Sequence, residues 1–289
     1  AKSFAVFDGA WDVHDAPAQM ARLMALAPDI TPPPGFEEPG KRSVFMDIYA
    51  SLARLHMKTF GTTQRQLAAV AAKNHMHSTR NSLAQFQYPL TIEEALAARP
   101  VSWPLTLPMC APISDGAAAA IVCNAQGLKR LREARAVRLY ASVLRTATDR
   151  PADRYDRHLC HLAALEAYER AGVGPQDMSL AEVHDATAFA EIQQTEALGF
   201  CAFGEGGPMA ESGATSLGGR IPINVSGGLL SRGHPIGATG LAQVHEMVIQ
   251  LRGQAGARQV DGARFAIAEN GGGFNGVEEA VTCITLLGH

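Results

Sequence analysis

An α/β architecture is expected for this chain on three grounds. Residues 137–286 alternate as βαβαβαββ, the pattern of a layered sheet covered by helices. The chain has 289 residues, 47% of them apolar, enough for one large domain or two halves of ordinary size. Three glycine-bearing or His-bearing segments fall at predicted strand ends, where ligands gather in such sheets.

Residues 1 to about 45 read as irregular, with the Pro/Gly-rich connector DITPPPGFEEPG at 29–40. From Val44 to Met57 and from Thr63 to Ser78 apolar residues recur at three-and-four spacing, which predicts two helices. Thr91 with Glu94 three residues on forms a capping box and opens a third. After the turn Ile113-Ser114-Asp115-Gly116, the run AAAAIVC predicts a buried strand, followed by a charged helix from Gln126 to Arg135. Then come strand Val137–Leu144, helix Arg157–Ala171, strand Ser179–His184, helix Phe189–Gly199, short strand Ile223–Val225 and helix Ile236–Gly253. Strands Arg264–Glu269 and Val277–Leu286, joined by ENGGGFNG, are expected side by side. The natural division is 1–135 and 136–289.

The formal charge of −3, with no basic run, argues against nucleic acid as a primary partner. Charged residues make up only 18%, below the roughly 25% of an average soluble domain, so part of the surface is expected to be buried against other protein. Cys110, Cys123, Cys160, Cys201 and Cys283 are scattered without CxxC spacing, so neither a disulfide framework nor a thiolate zinc site is encoded. The opening lacks a signal-peptide plan and no stretch approaches 18 apolar residues, which predicts a cytoplasmic protein without a membrane span. His75-x-His77 and His158-x-x-His161 lack a third ligand at sensible spacing and read as solvated or edge histidines, so no metal is expected.

Three segments could carry chemistry. In NVSGGLLSRGHPIGATG (224–240), five glycines allow close backbone approach, and Pro235 and the stripe Leu241, Val244, Val248, Leu251 start a helix. His234 sits at its entrance, where a neutral imidazole could donate to a developing oxyanion; a capped Gly-rich turn is the alternative. His184-Asp185 ends a predicted strand and suits proton transfer or water positioning, or else Asp185 is simply an N-cap. Glu269-Asn270-Gly271-Gly272-Gly273 could form an anion hole from exposed amides, or a plain hairpin turn. If their strands are parallel, the three segments converge.

These residues resemble the thiolase superfamily, in the branch of sterol-carrier-protein-X type and lipid-transfer-like thiolases. NVSGGLLSRGHPIGATG is similar to that family's GHP motif, VHDATAFAEIQQTEALG to its His-Asp variant of the Asn-Glu-Ala-Phe motif, and AENGGG to its Cys-x-Gly motif. The stretch FGTTQRQLAAVAAKNHMHSTRNSLAQFQYPLTIEEALAARP and PISDGAAAAIV resemble the loop domain and the strand after it. The resemblance runs from about Val44 to Leu287 and implies a layered αβαβα fold, of which this chain supplies an incomplete N-terminal half and a complete C-terminal half. It implies that the nucleophilic cysteine lies on a segment not in this chain.

By the same resemblance His234 activates that cysteine and forms one oxyanion hole, His184 replaces an Asn that holds a water, and the Gly271 amide serves a second hole. Glu269 stands where the family has its acid/base cysteine, and Ala186 where sterol-carrier-protein-X type enzymes have an alternative one. Thr187 alters the pantetheine wall, and Ser226, Gly227, Gly228 and Asn270 are expected beside the substrate. The implied activity is acyl transfer or carbon–carbon cleavage on coenzyme A thioesters, with coenzyme A entering as substrate and no bound cofactor. Two alternatives stand beside it: a retro-aldol lyase acting on a β-hydroxyacyl-CoA with an OB-fold partner, and a non-catalytic subunit. A homodimer is expected from the resemblance and the charge deficit.

Overall fold

The computed structural model describes residues 16–40, 43–131 and 135–289. A helix α1 (Ala16–Met24) forms inside the stretch expected to be irregular, while 29–40 contains no helix or strand, as its prolines require. Helices α2 (Val44–Phe60), α3 (Gln64–Ser78) and α4 (Ile92–Ala97) appear where the periodicity places them. Thr63 and Thr91 each begin a helix with a complete capping box, and Gly61 ends α2 in the left-handed conformation, its N–H donating to the Met57 carbonyl. A short hairpin follows, β1 (Pro100–Ser102) with β2 (Leu105–Thr106).

The expected strand at 117–123 does not form. These residues have no assigned strand structure, and Ile121 and Val122 are 88% and 84% exposed. Strand propensity reflects packing on a sheet, and none of the described residues offers this run one. The charged helix after it shrinks to α5 (Ala125–Leu128), and residues 132–134 of the expected helix lie outside the described ones.

The C-terminal part follows the predicted alternation: β3 (Arg138–Thr146), α6 (Leu159–Ala171), β4 (Leu180–Glu182), α7 (Ala188–Ala197), α8 (Gly206–Glu211), α9 (Thr239–Leu251), β5 (Phe265–Gly272) and β6 (Val281–Gly288). The sheet order is β3-β6-β5-β4, with β5 antiparallel to β6 and parallel to β4. The expected strand at 223–225 is reduced to one parallel bridge, Ala181 to Ile223.

Period-2 alternation decides which side each residue faces. Ile267, Ile284 and Leu286 pack with Ala163, Ala167 and Leu198 of the α6–α7 side, while Ala266, Ala268 and Leu287 pack with Met247 and Leu251 of α9. Helices thus cover both faces, giving three of the five layers expected. A further core joins α2 and α3 to α7 through Ile48, Leu67, Val70, Phe189 and Ile192, so the N-terminal helices rest directly on the C-terminal part. No helix among the described residues is long and apolar enough to cross a membrane.

Candidate active site

Because β4 and β5 run parallel, with Glu182 opposite Ala268, the chain leaves both strands at the same end. His184 and Glu269 therefore emerge side by side, and the His184 N–H donates to Glu269 Oε2 at 3.0 Å. The third chain, bridged beside β4 at Ile223, continues into a π-helical turn over Gly228–Arg232. Asp185 fixes that turn by accepting the N–H of Leu229 at 2.7 Å and of Leu230 at 3.4 Å. The result brings His234 against His184, ring centroids 5.0 Å apart and planes at 81°. The three segments converge as their strand positions predicted.

His234 is held from both sides. Its N–H donates to Ser114 Oγ at 3.0 Å, and its Nδ1 lies 2.7 Å from Thr239 Oγ1. The Thr239 hydroxyl can direct its one proton to the Pro235 carbonyl at 3.1 Å, and in that arrangement Nδ1 is the donor to Thr239. That leaves the lone pair on Nε2, the atom suited to accept a proton. Burial first, and then the Arg232 charge, push the His234 pKa down to about 4. Burial first, and then His234, push His184 down to about 3. Both rings are neutral at neutral pH, and His184 Nδ1 is buried without a hydrogen-bond partner. A Thr239→Val substitution is expected to lower turnover about tenfold, the worth of one orienting hydrogen bond of about 1.4 kcal/mol, without weakening substrate binding. Steady-state kinetics would show this as a fall in kcat at unchanged KM.

Glu269 lies on the α6–α7 side of β5 and is fully buried, Oε2 bonded to the His184 amide and Oε1 to the Thr282 hydroxyl at 2.9 Å. Burial, then the neighbouring Glu279 carboxylate, raise its pKa. Gly271 is on the same face. A Cβ there would come within 2.8 Å of Glu279 Cγ and 3.1 Å of Glu269 Oε1. Asn270 points the other way, its amide donating to Gln243 of α9 at 2.9 Å.

The remaining candidate residues are mostly committed to the protein itself. Ala186 is part of the core and its carbonyl accepts the Ala111 N–H, while Thr187 caps α7 by accepting the Ala190 N–H. Ser226, Gly227 and Gly228, expected beside the substrate, lie at the entrance to the π-helical turn. All three are buried; Ser226 donates to Glu182 at 2.6 Å, and side chains at 227 or 228 would collide with Ser78 or Asp185. These residues shape the turn that delivers His234. The histidine pairs are corrected: His75, His77 and His158 are buried, and His77 bridges the Asn224 carbonyl and the Leu217 N–H. Among the described residues no His/Cys/Asp/Glu group could hold a metal ion.

Two residues of the site were not singled out from sequence, Thr239 as partner of His234 and Glu279, while Asp185 anchors the turn rather than capping α7. Thr239 carried a signal, five residues after His234 in the first turn of the helix; Glu279 carried none. Among the described residues no thiol is hydrogen-bonded to either imidazole. Cys110 is buried, its Sγ 3.5 Å from the Thr106 carbonyl, and burial pushes it up to about 12. Cys160 is raised by burial, and Cys201 is pushed up to about 12 by burial.

Residues 149–285 match the family model described as "Thiolase C-terminal domain-like". The chain is 44% identical over 235 residues to an acetyl-CoA acetyltransferase of Methanothermobacter thermautotrophicus, covering 80% of this chain and 61% of that protein. It is 41% identical over 232 residues to the sterol carrier protein 2 of Rattus norvegicus, covering 77% and 42%. It is 39% identical over 215 residues to the benzoylsuccinyl-CoA thiolase subunit BbsB of Thauera aromatica, covering 74% and 56%. The chain thus spans between about two fifths and three fifths of the length of these relatives. Among solved structures it superposes on a chain of the Ltp2-ChsH2(DUF35) aldolase with TM-score 0.71 at 24% identity, covering 84% of this chain and 63% of that one. Human mitochondrial 3-ketoacyl-CoA thiolase gives TM-score 0.57 at 15% identity, covering 83% and 58%. With its matching C-terminal domain, these relatives and the shared fold, this chain belongs to the thiolase superfamily, with sterol-carrier-protein-like and lipid-transfer-like proteins among its relatives.

Proposed function

We propose that this chain supplies the His234/His184 half of an active site that acts on acyl-CoA thioesters, with the attacking cysteine on a segment outside these 289 residues. The carrying observation is the pair of neutral imidazoles 5.0 Å apart, with no cysteine hydrogen-bonded to either among the described residues. His234 Nε2 takes the proton of the incoming thiol, and the thiolate adds to the thioester carbonyl carbon. The protonated Nε2 then faces the developing oxyanion, and the CoA thiolate leaves with that proton. His184 Nδ1, buried and unpartnered, is a place for a bridging water or the thioester oxygen. The Gly271 amide serves a second hole in this reading, and coenzyme A enters and leaves as substrate.

A second reading, retro-aldol cleavage of a β-hydroxyacyl-CoA, is favoured by one observation. Glu269 is a buried carboxyl of raised pKa, which by the sequence resemblance stands where the family has its second thiol, and that cleavage needs a base rather than two cysteines. An OB-fold partner belongs to this reading, and the resemblance to an aldolase of Ltp2 and a DUF35 protein supports it. A homodimer is proposed for either. Product analysis separates them. With a 3-ketoacyl-CoA and free CoA, the first reading yields two acyl-CoA products. Release of a ketone or aldehyde from a β-hydroxyacyl-CoA, with no thiolysis, would replace it with the second.

A further inference from the structure

Behind the two histidines lies a buried acidic group that the chemistry above does not use. Glu279 is 3% exposed and sits in the turn entering β6. Its Oε1 accepts from Gln194 of α7 at 3.0 Å, while Oε2 has no hydrogen-bond partner among the described residues. The side chains of Glu269 and Glu279 converge on the empty side-chain position of Gly271.

We propose that Glu269 and Glu279 act as one proton-sharing carboxyl pair behind the active site. Glu279 is the positioning residue that keeps Glu269 in its acid form, and Gly271 is the gap the pair requires. Two carboxylates facing each other in a dry interior cannot both ionise at modest cost unless a cation joins them. None does. Arg150 is committed to Glu278 at 2.8 Å and to the carbonyls of Pro151, Ala152, Arg154 and Val277. His158 Nε2 lies 3.7 Å from Glu279 Oε2, but its Nδ1 accepts the Cys160 N–H at 3.2 Å, which requires the neutral ring. The other groups facing the pair are neutral or acidic: Thr282 of β6, Cys160 of α6, Gln194 of α7, Tyr49 of α2, and His184 and Asp185 beyond β4. Burial raises both carboxyls, and the Glu279 charge adds to the rise at Glu269. The shared proton, while on Glu269, leaves the His184 backbone bonded to an uncharged partner and gives the site an acid without a thiol; the retro-aldol reading uses the same group after it has lost that proton.

The protonation statement stands on this chain alone; its consequence for turnover rests on the function proposed above. It is tested by NMR titration of protein carrying carbon-13 in its glutamate carboxyls, the two signals assigned by their loss in Glu269→Gln and Glu279→Gln. Glu269 is expected to titrate well above the ordinary value of about 4.3, each signal showing a second inflection where the other titrates. In Glu279→Gln the Glu269 midpoint should fall by about one pH unit or more, with a single inflection. A merely structural Glu279 would lower stability and leave that midpoint in place, which overturns the proposal. If Glu279→Gln does not fold, the wild-type curves decide: a single inflection at Glu269 overturns the pairing. A shifted midpoint in a protein inert toward every acyl-CoA would overturn the functional reading and leave the pair standing.

Discussion

Replacement of His234 by alanine is expected to cut turnover of an acyl-CoA thioester by about 10²–10⁴-fold, the range for losing a general base that also stabilises the oxyanion. The fold should survive, because His234 is half-buried at a helix entrance and among the described residues its ring hydrogen-bonds to Thr239 alone. Since the ring acts on the charge that develops in the transition state, kcat and kcat/KM should fall together. A rise in KM at unchanged kcat would instead make His234 a binding residue, and the proton-transfer role assigned to Nε2 would be lost.

The second large effect is on stability. Lys73 and Glu191 form a salt bridge at 2.7 Å with side chains 4% and 1% exposed. Glu191 also accepts from Asn74 and Asn224, both at 2.8 Å, and Lys73 donates to the Ile223 carbonyl at 2.7 Å. Lys73→Met leaves the Glu191 charge buried with amide donors alone, expected to cost about 3–5 kcal/mol in chemical denaturation. Adding Glu191→Gln should recover most of that loss, because it is the unpaired charge rather than the missing contact that dominates. A double variant no more stable than the single one would show that packing, not charge, decides. The same network grips Asn74, which donates to Asp185 at 2.8 Å, so the single variant should also loosen the turn that carries His234.

Much of the helical structure was legible because its signals are local. The Thr91 capping box needs no partner to be recognised and it formed, as did helix α9, although of the expected stripe Leu251 is buried, Val244 and Val248 are partly buried and Leu241 is 41% exposed. The meeting of His184, Glu269 and His234 was also readable, since parallel strands deliver their ends to one place. What was not legible depended on distant chain. The run at 117–123 has the composition of a strand but finds no sheet among the described residues. The glycines at 227 and 228 look like a ligand cradle, yet what presses on them is Ser78 and Asp185, residues remote in sequence. Glu279 reads as part of a charged turn. Only the antiparallel register, Gly271 opposite Thr282, carries it behind Glu269.

The central claim is that this chain brings the histidines and another segment brings the nucleophile. The most direct measurement is peptide mapping by mass spectrometry after the intact protein assembly is treated with acetyl-CoA. The account predicts an acetyl group on a cysteine of a peptide outside these 289 residues, lost in His234→Ala. An acetyl group on Cys110, Cys123, Cys160, Cys201 or Cys283, or on no cysteine at all, would contradict it.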